Sequence, residues 1–258
     1  MRPVVRNPAP EPGALHGSGG SCRVRVWSGD PTVAQLLLHH DRRALTADDV
    51  RRWCDELARR GFRGVRTGAL YPRQAEPLSD AGFTVIQRLA LLEHRSPRDA
   101  ARAPGVTQRL PVGAEPEAAT VDRAAFGEVW SLDAVAIAEV RSATPRHRAR
   151  AVYDGRQLLA FAVSGRDNRL GFLQRLAVEP AAQRHGLGRR LVLDSLRWAG
   201  RWRASRVLVN THVDNDPALA LYESTGFVRL PDELVVLERA IAGDTENGCV
   251  DQAAGGDR

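Results

Sequence analysis

The sequence predicts an α/β (α+β) protein, and three observations predict it. Strand-like and helix-like apolar patterns alternate along the chain from Cys22 to Glu238. Turn signals such as Asp154-Gly155 separate the shorter apolar runs. The stretch Leu173 to Trp198 reads as an apolar strand, a loop Gln183-Arg184-His185-Gly186-Leu187-Gly188, and a helix. A strand, a glycine loop and a helix start together make an anion cradle, because glycines bring backbone N–H groups close to a ligand and the helix dipole adds positive potential there.

The elements follow in order. Residues 1 to 20, with Pro3, Pro8, Pro10, Pro12 and the run Gly17-Ser18-Gly19-Gly20, read as a disordered lead. Cys22 to Trp27 alternates as a strand, and Thr32 to His39 carries a short helical pattern. Thr46-Ala47-Asp48-Asp49 caps a helix that runs to Gly61. A strand at Phe62 to Thr67, a helix at Arg73 to Ala81 and one or two strands from Phe83 to Glu93 close this first series. Ser96 to Gly105 reads as a linker, and Val106 to Leu110 opens a second series. Helices at Pro116 to Phe126 and Ser131 to Ala143 precede strands at Arg148 to Tyr153, Gln157 to Ser164 and Leu170 to Val178. A helix at Leu187 to Arg203, a strand at Arg206 to Asn210, a helix at Pro217 to Thr225 and strands at Phe227 to Arg229 and Leu234 to Glu238 complete it. Residues 240 to 258 read as a flexible tail.

The 258 residues suffice for one large domain, or for a domain with a smaller companion. The formal charge is +6, and because the chain contains no lysine its 37 basic residues are all arginine. That bias fits a GC-rich coding sequence, and with no basic motif interleaved with aromatics a nucleic-acid partner is not expected. Cys22, Cys54 and Cys249 are odd in number and far apart, which argues against a disulfide framework or a zinc site and fits a reducing cytoplasm. No apolar run approaches the roughly 18 residues of a membrane helix and no signal-peptide core is present, so a protein free of the membrane is expected, as monomer or homodimer.

Two motifs stand in order, separated by one strand and one helix. The first is Gln183 to Gly188; the second is Asn215-Asp216-Pro217-Ala218-Leu219-Ala220-Leu221-Tyr222-Glu223-Ser224-Thr225-Gly226-Phe227. With these motifs, residues 106 to 239 resemble the GCN5-related N-acetyltransferase (GNAT) superfamily, which implies a mixed, mostly antiparallel sheet between helices. The resemblance further implies that backbone N–H groups of Arg184, His185, Gly186, Leu187, Gly188 and Arg189 hold the pyrophosphate of acetyl-CoA without a metal, with Gln183 at the first position of this cofactor-binding motif. It implies that Leu176, Ala177 and Val178 hydrogen-bond the pantetheine arm, that Asn215 contacts the cofactor through its amide, and that Tyr222 protonates the leaving thiolate. Asn215 also stands where it would cap the helix opened by Pro217, and Tyr222 where it would pack in a core.

For the base that frees the acceptor amine, His212, Glu128, Asp133, Glu139 and Glu179 are candidates; His212 sits just past a strand end and its ordinary pKa near 6.5 suits the task. Trp130 lies where the resemblance would have it shape the acceptor pocket. The chain also repeats itself: a shift of 144 residues, from 65 to 209, lays Val65 on Val209, Thr67 on Thr211 and Gly82-Phe83 on Gly226-Phe227. Residues 22 to 95 thus read as a shortened GNAT-like half. In that register Leu78 falls on Tyr222, Tyr71 on Asn215, and the glycine-free stretch His39 to Ala44 on the loop, so the first half is expected to bind no acetyl-CoA. It is expected instead to pack on the second half or to form a wall of the acceptor cleft. The expected activity is transfer of acetyl from acetyl-CoA to a primary amine on an unidentified small molecule or peptide. The alternatives are a non-catalytic acyl-CoA sensor or interaction module, and an arginine-rich nucleic-acid binder.

Overall fold

The structure, a computed structural model, describes residues 12–17, 20–38 and 45–241. The expected tail beyond 241, Cys249, and the stretch 39–44 set against the glycine loop lie outside the described residues. The first repeat contains β1 (Gly13–Gly17), β2 (Gly20–Trp27), β3 (Asp30–Leu38), α1 (Ala47–Arg59), β4 (Gly64–Thr67), α2 (Pro72–Ser79) and β5 (Thr84–His94). The second contains β6 (Gln108–Arg109), α3 (Glu115–Trp130), α4 (Ala134–Ser142), β7 (Arg146–Asp154), β8 (Gln157–Asp167), β9 (Leu170–Val178), α5 (Leu187–Arg201), β10 (Arg206–His212), α6 (Asp216–Glu223) and β11 (Val228–Ala240). A mixed sheet flanked by helices is what the sequence predicts.

All eleven strands join one sheet, in the order β1-β2-β3-β4-β11-β5-β10-β9-β8-β7-β6. Only β3 with β4 and β9 with β10 pair in parallel. Apart from β6, the order is a palindrome under exchange of the two repeats, with a pseudo-twofold axis between β11 and β5. The last strand of each repeat has crossed over: β5 lies against β10, and β11 against β4. The cores follow the exchange. Val235 and Leu237 of β11 pack with Val50, Trp53, Phe62 and Leu78 of the first repeat, and Ala90 and Leu92 of β5 pack with Leu191, Leu196 and Val209 of the second.

Several expectations are corrected here. The helix expected at Thr32 to His39 is not found over its described part: residues 30–38 form β3, with Ala34 and Leu36 turned inward between β2 and β4. The run Val33-Ala34-Gln35-Leu36-Leu37-Leu38 satisfies both helical and strand spacing, and two waiting edge partners decide for the strand. Residues 13–17 of the expected disordered lead form β1, anchored by the buried Leu15. The two expected final strands are one, irregular between Arg229 and Glu233. No helix among the described residues is long and apolar enough to cross a membrane.

The linker is packed rather than loose. Ala100 is buried beside α5, and Arg98 Nε donates to the Gly200 carbonyl at 3.2 Å. That approach needs the glycine: a Cβ at position 200 would stand 2.7 Å from both Pro97 O and Arg98 N. Because each core contains a strand of the other repeat, cutting the chain should not separate the halves. A protease site placed within 101–105 and cleaved in the folded protein is expected to leave both fragments coeluting at the size of the intact chain, and separation without denaturant would contradict the exchange.

Candidate active site

The parallel pair β9 and β10 holds together only at its base, Arg206 to Leu208 against Leu170 to Phe172. Beyond that register the strands splay. The free edge of β9 from Leu173 to Val178 and the tip of β10 from Val209 to His212 then face each other across a cleft of about 950 Å3. A smaller hollow, of about 540 Å3 around Thr144, Arg169 and Ser205, lies at the opposite end of the same strands. In the first repeat, β3 and β4 stay paired from Val33 to Leu36 and from Gly64 to Thr67, which uses all of β4 and leaves only two residues of β3 beyond it. Among the described residues the splay occurs in the second repeat alone.

The glycine loop closes one side of the cleft. Gln183 ends a 3-10 turn at Pro180–Ala182, and its Nε2 donates to the Val178 carbonyl at 3.2 Å. Arg184 and Gly186 are left-handed, at φ 65° and 75°, and Gly186 starts α5 by accepting from Arg190 N at 3.0 Å. The N–H groups of Leu187, Gly188 and Arg189 have no partner within the helix, as in any first turn, and here they stand at the cleft. Gly188 is where α6 approaches: a Cβ would lie 3.0 Å from Leu221 Cδ2. Arg189 Nη1 ties the loop to α6 by donating to Ser224 O at 2.9 Å. The side chain of His185 is exposed and stands outside the cleft lining, while the rest of 183–189 line it.

On β9, Leu176, Ala177 and Val178 line the cleft with their free edge toward β10. Across it, Asn215 caps α6, its Oδ1 accepting from Ala218 N at 3.2 Å, so the capping reading holds and its amide N–H groups stay available. Tyr222 is 5% exposed, lies 5.7 Å from the Phe227 ring and lines the cleft. Its hydroxyl makes no hydrogen bond to any described residue. Burial pushes this phenol well above its usual pKa, with the nearby Arg175 guanidinium pulling weakly the other way, so it holds its proton throughout the working pH range. In the first repeat the same slot is filled by Leu78, fully buried. An aliphatic group satisfies the packing there, and the hydroxyl in the second repeat is surplus to it.

His212 lines the cleft half-exposed. Its Nδ1 accepts from Asp214 N at 3.2 Å and lies 3.6 Å from the Asp214 carboxylate. That bond assigns the neutral ring's proton to Nε2. The other candidate bases are elsewhere. Glu128 is exposed beside Arg123, Asp133 caps α4, Glu139 pairs with Arg23, and neither Glu179 nor any of these lines the cleft. Trp130 does line it, and so do Gln87 and Leu89 of β5, so the first repeat contributes a wall. Among the described residues no cluster of His, Cys, Asp and Glu could hold a metal ion.

Residues 117–227, from α3 to the end of α6, match the acetyltransferase (GNAT) family. By that match, residues 117–227 are a GNAT-family domain. Among curated proteins, the chain is 46% identical over 55 residues to the N-alpha-acetyltransferase RimI of Mycobacterium tuberculosis, a match covering 21% of this chain and 33% of that protein. It is 40% identical over 79 residues to the mycothiol acetyltransferase of Acidothermus cellulolyticus, covering 31% and 23% respectively. The matched stretches thus span a third or less of these relatives' own lengths. Among solved structures, a tandem GNAT protein from the clavulanic acid biosynthesis pathway superposes over 92% of this chain and 85% of its own, at a TM-score of 0.63 and 16% identity. A GCN5-related N-acetyltransferase from Kribbella flavida does so over 88% and 89%, at 0.59 and 17%. At these identities the likeness is one of fold, and it extends to the first repeat.

One part of this GNAT domain's cleft was not visible in the sequence. Asp122 of α3 is fully buried and is held by two bonds from Arg175 of β9, Nε to Oδ1 at 2.6 Å and Nη2 to Oδ2; Asp122 also accepts from Leu132 N at 3.1 Å. Arg175 Nη2 donates to Trp130 O at 2.9 Å, and its guanidinium lies 3.7 Å above the Phe126 ring. Nothing local marks a pair 53 positions apart. Removing one member strands a buried charge, so Arg175→Met is expected to cost about 3–5 kcal/mol in urea unfolding. The double variant Arg175→Met/Asp122→Leu should regain most of that loss; equal losses in both would contradict the pairing.

Proposed function

We propose that the protein is an N-acetyltransferase that moves the acetyl group of acetyl-CoA directly to a primary amine. One observation carries this reading: the unpartnered hydroxyl of the buried Tyr222 shares a cleft with the amide-lined glycine loop. An anion cradle alone would serve any phosphate ligand. A buried phenol with nothing to bond adds a proton donor where a thioester held by that cradle would lie.

The N–H groups of 184–189 bind the pyrophosphate, and the free edge of β9 at Leu176 to Val178 takes the pantetheine as an added strand, aided by the Asn215 amide. Held there, acetyl-CoA presents its thioester to an amine entering from the β5 and α3 side. The amine lone pair attacks the thioester carbonyl carbon, the C–S bond breaks, and the amine's excess proton leaves to water or to His212. For His212 to accept it, Nδ1 must release Asp214 N–H, and the Asp214 carboxylate then steadies the imidazolium. Because burial raises the Tyr222 phenol above the ordinary thiol range near 8.5, its first contribution is a hydrogen bond to the developing thiolate, with the proton following as charge builds on sulfur. We also infer a reducing compartment such as the cytoplasm, since Cys22 and Cys54 are buried free thiols, raised by desolvation to about 12 and about 11.

The reading is tested by following free-thiol release from acetyl-CoA with a panel of amines. Amine-dependent release is expected. Acetyl-CoA binding with no release for any amine would instead favour a non-catalytic acyl-CoA sensor.

A further inference from the structure

The end of the cleft away from the glycine loop is walled by Gln87, Leu89, Phe126, Trp130 and Arg175. Its charge is one-sided. Among the described residues the whole lining holds Arg175, Arg184 and Arg189 and no aspartate or glutamate. The nearest buried carboxylate, Asp122, has both oxygens engaged by Arg175 and one also by Leu132 N, so it offers the cleft nothing. Asp214 is exposed at the rim and aimed at His212. Arg175, by contrast, keeps Nη1 without a hydrogen bond to any described residue.

The aromatic faces that could hold an ammonium are also taken. Arg175 lies over Phe126 at 3.7 Å, and Arg66 lies over Trp130 at 5.2 Å and over Trp27 at 4.5 Å. A protonated amine entering here would lose water and find no free carboxylate among the described lining residues, since Asp122 is held by Arg175 and Glu238 by Arg66. Desolvation without a carboxylate to pair with pushes such a group toward its free base. A second ammonium on the same molecule would meet the same penalty again.

We infer, resting on the acetyltransferase reading above, that the acceptor is a weakly basic amine of the α-amino kind, carried on a neutral or acidic body and bound as the free base. Alkylammonium side chains and polyamines are then poor acceptors. The size of the preference follows from ordinary basicities. An α-amine near pKa 8 is about a quarter free base at pH 7.5, and an alkylamine near 10.4 about 0.1%, a ratio on the order of 200 that a cleft without carboxylates does nothing to offset.

The test compares alanine amide, the dipeptide alanyl-glutamate, Nα-acetyl-lysine amide and putrescine by thiol release, beside a calorimetric titration with acetyl-CoA. At pH 7.5, kcat/KM for the two α-amines is expected to exceed that for the other two by about 100-fold or more. From pH 7.5 to 9.5 the lysine derivative should gain about tenfold per unit while the α-amines level off above about 8. Gln87→Glu supplies the missing carboxylate and should narrow the gap at least fivefold. Comparable use of putrescine or the lysine derivative at pH 7.5, or a ratio unmoved by Gln87→Glu, would overturn the inference. Acetyl-CoA binding without turnover of either α-amine would overturn this inference alone, whereas no acetyl-CoA binding would remove the reading beneath it.

Discussion

Tyr222→Phe is expected to lower kcat by about 100-fold or more while leaving acetyl-CoA affinity within about twofold and thermal stability unchanged or slightly higher. The expectation joins burial to chemistry. The ring packs against Phe227 in the core beside α5, and phenylalanine keeps that packing. The hydroxyl has no partner among the described residues, so its removal breaks no hydrogen bond and leaves no donor stranded. A hydroxyl that contributes nothing to the folded state yet governs turnover belongs to the reaction. The pH profile is a second readout. Burial raises this phenol, so it remains a donor past its ordinary value near 10, and wild-type kcat should show no falling limb from it below that pH. A Tyr222→Phe variant within twofold of wild-type kcat would make the residue structural.

The second large effect lies in the loop. Gly186→Val places a β-branched residue at φ 75°, and Gly188→Val drives a branched side chain toward Leu221 and over the N–H groups that would meet the pyrophosphate. The double variant is expected to weaken acetyl-CoA binding by at least about 100-fold, equivalent to about 2.7 kcal/mol, with the far-ultraviolet circular dichroism of the wild type retained. The strain sits in an exposed turn, so the melting point should fall by only a few degrees. Binding that survives both replacements would mean that the loop is a turn and a helix start and nothing more.

The two motifs were legible because their chemistry is local: a glycine loop before a helix, and a capped helix carrying Tyr222, are each written within a dozen residues. The repeat was legible for a related reason, since Val65, Thr67 and Gly82-Phe83 recur at one fixed shift. The exchange of β5 and β11 was not. Both strands satisfy the pattern of a buried strand wherever they lie, and which repeat's edge receives them depends on pairing more than a hundred positions apart, as in Glu238 against Arg66. β3 was misread because Val33 to Leu38 fits two periodicities, and β1 because prolines and glycines flank a five-residue strand. The pair of Asp122 and Arg175, and the carboxylate-free lining it leaves, exist only once α3 is laid across β9. Among the candidate bases, acidic character alone put Glu128, Asp133, Glu139 and Glu179 forward, and their positions removed them from the cleft.

The central claim is that a chain built from two repeats carries one cofactor site. The splay between β9 and β10, the glycine loop and the Tyr222 hydroxyl all occur in the second repeat, whereas β3 and β4 remain paired and Leu78 fills the matching slot in the first. Isothermal titration of the intact chain with acetyl-CoA tests this most directly. The account predicts one acetyl-CoA bound per chain, lost in the Gly186→Val/Gly188→Val variant; two per chain, or one that persists in that variant, would contradict it.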